Sequence, residues 1–341
     1  MSHGEGSART SAEHGAKELR VWLALLVIYV VWGSTYLAIR VVVLDLPPLL
    51  SVGMRFTIAG AILALALVVR SGPARLRVER RRALGAFAVG ALLLVLGNGL
   101  VFLGERTVPS ALAALIIASM PLWVAIWRTV TGDRVPGGTL LGVAIGLFGV
   151  GLLVVPAGIG GSIDPLGATF LVVASVGWAT GTFASSKLSL PTDPMVSTAY
   201  QMLAGGVLLL GAGILSREPF QPATWIDSQS AFLALMYLVF VGSLGAFTTY
   251  TWLVQHAPVS RVATYAYVNP VVAVLLGAVI LNEQITPVMI AGGTIIVLGV
   301  ALITAHEARA RRGRIGRATV AARSRVPILD EEALSDDAMG V

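Results

Sequence analysis

Long apolar runs separated by short polar stretches make up most of this chain. Many runs are near 20 residues long, the length of a helix that crosses about 30 Å of hydrocarbon at about 1.5 Å per residue. The pattern therefore predicts an all-α polytopic membrane protein with ten transmembrane helices. The predicted spans are residues 21–41, 48–69, 83–104, 109–131, 136–156, 165–186, 194–215, 230–254, 258–281 and 286–305.

The order of prolines, glycines and acidic turns in the first half of the chain returns in the second half. The segment that starts at Pro109 matches the one that starts at Pro258, and an offset of 146 residues relates the earlier parts of the two halves. The matching pairs include Trp32 and Trp178, Pro48 and Pro194, Arg55 and Gln201, Gly60 and Gly206, Pro121 and Pro270, Gly142 and Gly292, and Gly149 and Gly299. A repeat of this length marks two homologous units. Because five spans is an odd number, the second unit enters the membrane from the opposite side, which predicts two inverted five-helix repeats with a binding site between them near the midplane.

Arginine clusters follow the second and the tenth predicted spans and indicate the orientation. With both termini in the cytoplasm, all but four of the 24 lysine and arginine residues lie inside, as the positive-inside rule requires. We therefore predict a multi-pass protein of the plasma (inner) membrane. Its predicted parts are a cytoplasmic tail at 1–18, a first repeat at 19–156, a second repeat at 165–305 and a basic, then acidic, disordered cytoplasmic tail at 306–341.

The composition agrees with a membrane protein and excludes several other classes. Only 12% of the residues are charged and 56% are hydrophobic, whereas soluble domains carry about 25% charged residues. The net charge of +6 could suggest a nucleic-acid partner, but the basic residues lie in loops and a tail, where membrane topology accounts for them, so we predict none. Because there is no cysteine, disulfides and thiolate sites are excluded, and we expect no metal and no cofactor.

Two prolines fall at matching places deep within predicted spans. Pro121 and Pro270 each lie about twelve residues into a span, which corresponds to about 18 Å of depth. A proline there frees the carbonyl four residues earlier, and exposed backbone at that depth is tolerated only where it is buried in protein or lines a wet cavity. We predict helix breaks that line a cavity, and a simple packing kink is the alternative.

Polar and aromatic side chains within the spans are the substrate-binding candidates. Tyr265 and Asn269 are four residues apart and so share a helical face. Trp32 and Trp178 lie too deep in their spans for an interfacial belt. Asn98 fits either a substrate contact or an interhelical hydrogen bond. The full set of candidates is Trp32, Ser34, Tyr36, Asn98, Ser119, Trp178, Thr182, Tyr250, Tyr265 and Asn269.

Charged residues are scarce within the spans. Arg55 is the one cation that we place in the hydrocarbon, where it either snorkels and binds carbonyl groups or contacts an anionic group of the substrate. The repeat puts Gln201 at the matching position, which favours the structural role. The acids Asp45, Glu105, Asp133 and Glu283 all fall at span ends or turns. The pattern thus indicates no carboxylate at mid-membrane that would relay protons.

Glycines at small-xxx-small spacing mark the fifth predicted span. They are Gly138, Gly142 and Gly146, followed by Gly149 and Gly151. This spacing lets helices approach closely. The face is therefore either part of the internal packing or the surface of a homodimer.

At three motifs the chain resembles the EamA-type members of the drug/metabolite transporter superfamily. They are WGSTYLAIR in the first span, P-x6-RF from Pro48 to Phe56, and VNPVVAVLLGAVILNEQIT at the end of the second repeat. The resemblance covers about residues 19–305, although Asp133 stands one residue early against the pattern. It implies a central cavity lined mainly by spans 1, 3, 4, 6, 8 and 9, and the export or uptake of small metabolites.

These observations lead to a functional prediction. We expect a secondary transporter, not an enzyme, that exports small organic metabolites by alternating access between the inverted repeats. Its predicted partners are the small-molecule substrate and the lipid bilayer. The alternatives are an uptake permease of the same fold and a membrane-embedded lipid-modifying enzyme. The enzyme would need a catalytic motif, and the predicted spans and their connections contain no paired aspartates, HExxH, GxSxG or P-loop.

Overall fold

The computed structural model describes residues 3–133, 135–158, 164–257, 262 and 264–323, and the regular elements in these ranges are helices. We number the long helices in chain order. They are α1 (His3–Asp45), α2 (Pro48–Ser71), α3 (Arg80–Gly104), α4 (Ser110–Val130), α5 (Gly137–Gly158), α6 (Pro165–Ser185), α7 (Pro194–Leu215), α8 (residues 229–256), α9 (Tyr265–Ile280) and α10 (Pro287–Arg323). Two short helices, Pro73–Leu76 and Pro222–Asp227, lie in connections.

These helices confirm the predicted fold class of an all-α polytopic membrane protein. Within the described ranges, nine helices are long and apolar enough to cross a membrane. The remaining predicted span, the ninth at 258–281, corresponds to α9, which has 16 residues where the structure describes it. The first part of that predicted span, 258–261 and 263, lies outside the described residues.

Helix packing follows a two-fold relationship between the repeats. The matching helices α2 and α7 pack against each other, and so do α5 and α10. The other contacts come in related pairs, because α1 packs on α9 as α6 packs on α4, and α8 packs on α1 as α3 packs on α6. Each repeat thus supplies helices to the packing of the other, and the two form one bundle.

Glycines let α5 and α10 approach at two symmetry-related points. A Cβ on Gly142 would lie 2.7 Å from the carbonyl oxygen of Gly299, and a Cβ on Gly149 would lie 2.9 Å from that of Gly292. Since Gly142 matches Gly292 and Gly149 matches Gly299 in the repeat, one contact is the two-fold copy of the other. Of the two roles predicted for this glycine face, internal packing accounts for these positions, and a homodimer stays a prediction.

Two helices depart from regular α geometry at related places. α3 contains a π-helical segment at Ala91–Gly99, and α8 contains one at Leu238–Gly245. π-Helical turns are frequent at functional sites, and they widen the helix. The sequence analysis did not predict either segment.

The two expected proline breaks turn out differently. α4 is interrupted at Ala118 and Ser119, immediately before the second helical piece that contains Pro121. The break expected at Pro270 is absent, because α9 runs through this residue without interruption. As described, α9 begins at Tyr265, so less than two turns precede Pro270, and the proline leaves the carbonyl of Ala266 without its intrahelical partner.

The loops after α2 and α7 each reach the N-terminus of the partner helix. Glu218 accepts hydrogen bonds from the backbone N–H groups of Leu49 and Leu50 at 3.1 and 2.9 Å and so caps α2, whose N-cap is a proline. Asp193 caps α7 and accepts hydrogen bonds from the Arg75 guanidinium at 2.8–2.9 Å. Both carboxylates face the positive end of a helix dipole.

The predicted tails differ in part from the structure. α10 continues to Arg323, so residues 306–323 are helical instead of disordered. The segment is rich in alanine and arginine, which are strong helix formers and extend a helix that has already begun. The acidic part of the predicted tail, within 324–341, lies outside the described residues.

Candidate functional site

A cavity of about 620 Å³ lies between the two repeats. Within the described part of the chain, every long helix except α5 and α10 contributes to its lining. The resemblance implied lining by spans 1, 3, 4, 6, 8 and 9, and the structure adds α2 and α7. The volume falls within the range of small-molecule sites in proteins.

Most of the lining residues come in pairs that the repeat relates. The pairs are Trp32 and Trp178, Tyr36 and Thr182, Ile39 and Ser185, Arg55 and Gln201, Phe56 and Met202, Leu93 and Gly242, Leu94 and Ser243, Asn98 and Phe247, Val101 and Tyr250, Ile117 and Ala266, Met120 and Asn269, and Pro121 and Pro270. The cavity therefore lies on the pseudo-two-fold axis, which is the position that inverted repeats favour for a binding site.

The structure brings most of the candidate residues together around this cavity. Those that line it are Trp32, Tyr36, Arg55, Asn98, Pro121, Trp178, Thr182, Tyr250, Tyr265, Asn269 and Pro270. Ser34 and Ser119 lie outside the lining and join helices instead. The hydroxyl groups of Ser34 and Tyr237 are 2.6 Å apart, and those of Ser119 and Ser175 are 2.9 Å apart.

Aromatic rings form one wall of the cavity. The Trp32 ring centroid lies 5.2 Å from that of Tyr250 and 5.1 Å from that of Tyr265, and the two tyrosine rings are 6.1 Å apart. The Phe247 centroid lies 6.3 Å from that of Tyr250. Rings at these separations and tilts attract one another and present a large apolar surface with polar groups at its margin.

Arg55 supplies positive charge to the cavity lining. Its side chain is only 5% exposed, and its guanidinium lies 4.7 Å from the centre of the Phe56 ring. Its Nε donates a hydrogen bond to the Ser243 hydroxyl at 3.0 Å, whereas Nη1 has no partner among the described residues. Of the described residues that line the cavity, Arg55 is the one that carries a charge. The sequence analysis did not identify Ser243, whose repeat counterpart Leu94 gives no polar signal.

Two amides add hydrogen-bonding groups to the lining. Asn98 Nδ2 donates to the Leu93 carbonyl at 3.3 Å, within the π-helical segment of α3. Asn269 is 9% exposed, and its Oδ1 has no partner among the described residues. Arg55 and Asn269 thus both line the cavity, and each has a buried polar atom, a donor on Arg55 and an acceptor on Asn269, without a partner among the described residues.

The cavity is open at one end and closed at the other. Thr182 and Pro194, near the α6–α7 loop, are exposed lining residues, whereas Ile39, Val101 and Ala114 at the opposite end are buried. We call the end of the cavity at Ile39, Val101 and Ala114 the closed end. There, Glu283 from the α9–α10 turn accepts hydrogen bonds from Ser110 N, Ser110 Oγ and Ala111 N at 2.8–2.9 Å and so caps α4.

Glu105, at the closed end, follows the end of a span as the sequence predicts, but the sequence does not predict that it is buried. Glu105 follows the last residue of α3 and has no solvent exposure, although its position between a span and Arg106 is typical of a surface turn. Neither carboxyl oxygen has a partner among the described residues, and Arg40 Nη1 donates to the main-chain oxygen of Glu105. Burial, and then the neighbouring Glu283, raise the pKa of this carboxyl well above its usual range, while Arg40 acts in the opposite direction.

The described residues contain no cluster of three or more histidine, cysteine or acidic side chains that could hold a metal ion. The cavity lining consists of aromatic, aliphatic, hydroxyl and amide groups around a single guanidinium. Such a lining can bind and orient a small solute.

Comparison with known proteins identifies close relatives. The chain is 36% identical over 282 residues to "Uncharacterized inner membrane transporter YedA" of Escherichia coli (strain K12), a match that covers 82% of this chain and 89% of the relative. It is 28% identical to the "Probable amino-acid metabolite efflux pump" of the same strain, over 81% of this chain and 92% of that relative. "Uncharacterized transporter YvbV" of Bacillus subtilis (strain 168) is 27% identical, over 87% and 95%.

Fold comparison and a family model agree with these relatives. A crystal structure of another protein has a TM-score of 0.57 to this chain at 24% identity, and the match covers 83% of this chain and 95% of that one. The model described as "EamA-like transporter family" matches residues 20–155 and 165–305, one match for each five-helix repeat. The resemblance found in the sequence is thereby confirmed, and this chain belongs to the EamA-like transporter family of membrane transporters.

Proposed function

We propose that this protein is a secondary transporter that exports small organic metabolites across the plasma membrane by alternating access. The observation that carries the proposal is the cavity on the axis between the repeats, with one open end and one closed end. Because the repeats are related by a two-fold axis, an exchange of their conformations would close the first end and open the second. A solute bound between them would then cross the membrane without a continuous pore.

The direction of transport follows from the proposed orientation. With both termini in the cytoplasm, as the arginine clusters indicate, the open end near the α6–α7 loop faces the cytoplasm. Cytoplasmic solute would enter the cavity in this conformation, which suits export. A relative whose name describes an efflux pump supports the same direction. An uptake permease of this fold would load from the closed end and remains the second candidate.

The lining supports a substrate that combines an anionic group with an apolar or aromatic body. We assign the anionic group to Arg55, whose Nη1 is free among the described residues, and the apolar body to the wall around Trp32. Asn269 Oδ1 would accept a hydrogen bond from a donor on the solute. Guanidinium groups bind carboxylates strongly because both the charges and the fork geometry match.

The cavity gives little support to the alternative of a lipid-modifying enzyme. Such an enzyme needs a nucleophile, or an acid and a base, within reach of a reacting atom. The described lining residues include neither a carboxylate nor a histidine. The family and its named relatives are transporters, which also favours transport over catalysis.

Flux measurements on purified protein test the proposal. A panel of labelled amino acids and aromatic carboxylates would first be assayed in proteoliposomes. Trp32→Ala and Asn269→Leu should each lower the flux of a transported compound about tenfold, the effect of a lost contact of about 1.4 kcal/mol. Phe148→Ala, which removes an exposed aromatic residue of α5, is the matched control and should leave flux unchanged. Equal flux in all four proteins would remove these residues from the proposed site.

A further inference from the structure

The burial of the Glu105 carboxyl group costs free energy, which other interactions in the fold must offset. Its carboxyl group is fully buried, and both oxygens lack a hydrogen-bond partner among the described residues. An ionised carboxylate in such a place loses its hydration and gains no hydrogen bond among the described residues in return, whereas the neutral acid loses far less. The packing at the closed end therefore favours the protonated form of this residue.

The charged and titratable groups around Glu105 are already engaged elsewhere. From α1, Arg40 donates to the main-chain oxygen of Glu105, and Tyr36, one turn before Arg40, is a second titratable group near it. Glu283, from the α9–α10 turn, is held by the N-terminus of α4. At the start of α6, Asp164 binds Thr107 and the helix N-terminus. Glu283 adds negative potential, which further disfavours a charge on Glu105, while Arg40 acts in the opposite direction.

We propose that Glu105 is a proton-binding site, and that closing this end of the cavity takes up one proton there. The proposal rests on the alternating-access function above and identifies the ligand that is exchanged when this end closes and opens. Opening would admit water to Glu105, which would stabilise the carboxylate. Arg40, which now binds the main-chain oxygen of the same residue, is within one side-chain rearrangement of pairing with that carboxylate.

Linkage fixes the direction of the pH effect. The carboxyl pKa is raised well above its usual range in the closed form, and in the proposed open form, where water reaches the carboxyl, it would be closer to that range, so protons would favour closure. Between the two pKa values, the ratio of closed to open molecules should fall tenfold for each unit of rising pH. Below the pKa of the exposed carboxyl, the ratio should be constant. Acid on this side of the membrane would thus hold this end shut.

A distance measurement across the closed end tests the proposal without any substrate. The chain has no cysteine, so Leu44→Cys and Gln284→Cys would carry the only two spin labels, on exposed positions of α1 and of the α9–α10 turn. Pulsed electron paramagnetic resonance would record the label separation in lipid nanodiscs from about pH 5 to about pH 9, a range around and above the usual carboxyl pKa. We expect a short distance at low pH and a growing population of a longer distance as pH rises.

Variants of Glu105 decide whether this residue is the proton site. Glu105→Gln mimics the protonated acid and should keep the short distance at every pH, whereas Glu105→Asp should retain a pH response with a shifted midpoint. Asp227→Asn, an exposed acid in the α7–α8 connection at the same end, is the matched control and should behave like the parent protein. A parent protein that ignores pH, or a pH response that survives in Glu105→Gln, would overturn the proposal.

The same measurement separates this proposal from the proposed function. A failure to transport any compound of the panel would argue against a metabolite transporter, but it would not alter the pH dependence of the label distance. Conversely, a transporter with a distance that does not respond to pH would keep its function and lose the proton site at Glu105. If Glu105→Gln fails to fold, Glu105→Asp decides the question. A shifted midpoint of the pH-dependent distance change would support Glu105 as the proton site, and an unshifted midpoint would be evidence against it.

Discussion

The nitrogen atoms of the Arg55 guanidinium group differ in their hydrogen bonding. The sequence left two roles open for it, a structural one and an anion contact. In the structure its Nε binds Ser243 on α8, while Nη1 is buried and has no partner among the described residues. One nitrogen therefore fixes the side chain between helices, and the residue as a whole lines the cavity.

Removing the guanidinium should weaken the binding of anions selectively. Hydrogen bonds to charged groups contribute about 1.5–3 kcal/mol, so Arg55→Gln should lower the affinity for phenylacetate roughly 10- to 150-fold, as measured by isothermal titration calorimetry. The neutral phenylacetamide should bind both proteins equally. Arg70→Gln, at the exposed end of the same helix, serves as the control. Equal losses for the acid and the amide would contradict a charge-specific contact.

Residue type and depth were good guides to the cavity, but hydrogen-bond partners were not. Trp32, Tyr265 and Asn269 were chosen because polar or aromatic groups at mid-depth seldom face lipid, and they line the cavity. Ser34 is also a polar residue deep within a span, yet its hydroxyl group pairs with that of Tyr237, a residue 203 positions away. Glu105 looked like part of a surface turn. Such long-range pairings depend on the packing of helices, which local sequence does not encode.

At the scale of helices, whether a proline interrupts a helix depends on how far it lies from the first residue of that helix. Pro121 follows an interruption of α4, but Pro270 is accommodated close to the start of α9. The sequence placed both prolines at the same depth, and it could not determine the first residue of α9 as the structure describes it. The π-helical segments of α3 and α8 carry no residue signature, since an extra residue per turn arises from packing against neighbours.

The α5–α10 contact permits a direct test of internal packing. A Cβ on Gly142 would lie 2.7 Å from a backbone oxygen that cannot move away easily, so Gly142→Ala should destabilise the protein by about 1–3 kcal/mol. Gly151 has nothing within 4 Å of its added Cβ, and Gly151→Ala should be neutral or stabilise by up to about 1 kcal/mol through helix propensity.

Thermal unfolding in detergent, followed by circular dichroism, would compare the two variants. The expected outcome is a lower midpoint for Gly142→Ala and an equal or higher midpoint for Gly151→Ala. A parallel measurement of molar mass would address the predicted homodimer. If Gly142→Ala left the midpoint unchanged, the close approach of α5 and α10 would not hold in solution.

At the scale of the whole molecule, the sequence predicted the architecture well. The internal repeat and the odd number of spans in each unit required inversion, and the helix pairings follow the resulting two-fold relationship. The repeat also predicted where the cavity lies, because an axis between equal units passes through their interface. It did not predict which end would be open, since either end of such a pair can close.

The orientation in the membrane is open to a labelling experiment. Single cysteines would be introduced at Leu44, near the α1–α2 connection, and at Arg77, in the connection between α2 and α3. In intact cells, a membrane-impermeant maleimide should label Leu44→Cys and spare Arg77→Cys until the inner membrane is permeabilised. The cysteine-free parent gives the background. The reverse pattern would place the termini outside and turn the proposed exporter into an importer.

The paired walls of the cavity differ in chemistry even though they share a geometry. Arg55 stands across the axis from Gln201, and Asn269 stands across from Met120. A cargo molecule therefore has one preferred pose, and turning it end over end would exchange a charged neighbour for an uncharged one. In the proposed alternating access, the bound solute should cross the membrane in that pose and leave with the same end first each time. Two identical halves would bind a solute equally well in either pose. The chemical difference between the halves is therefore what fixes the orientation of the solute during transport.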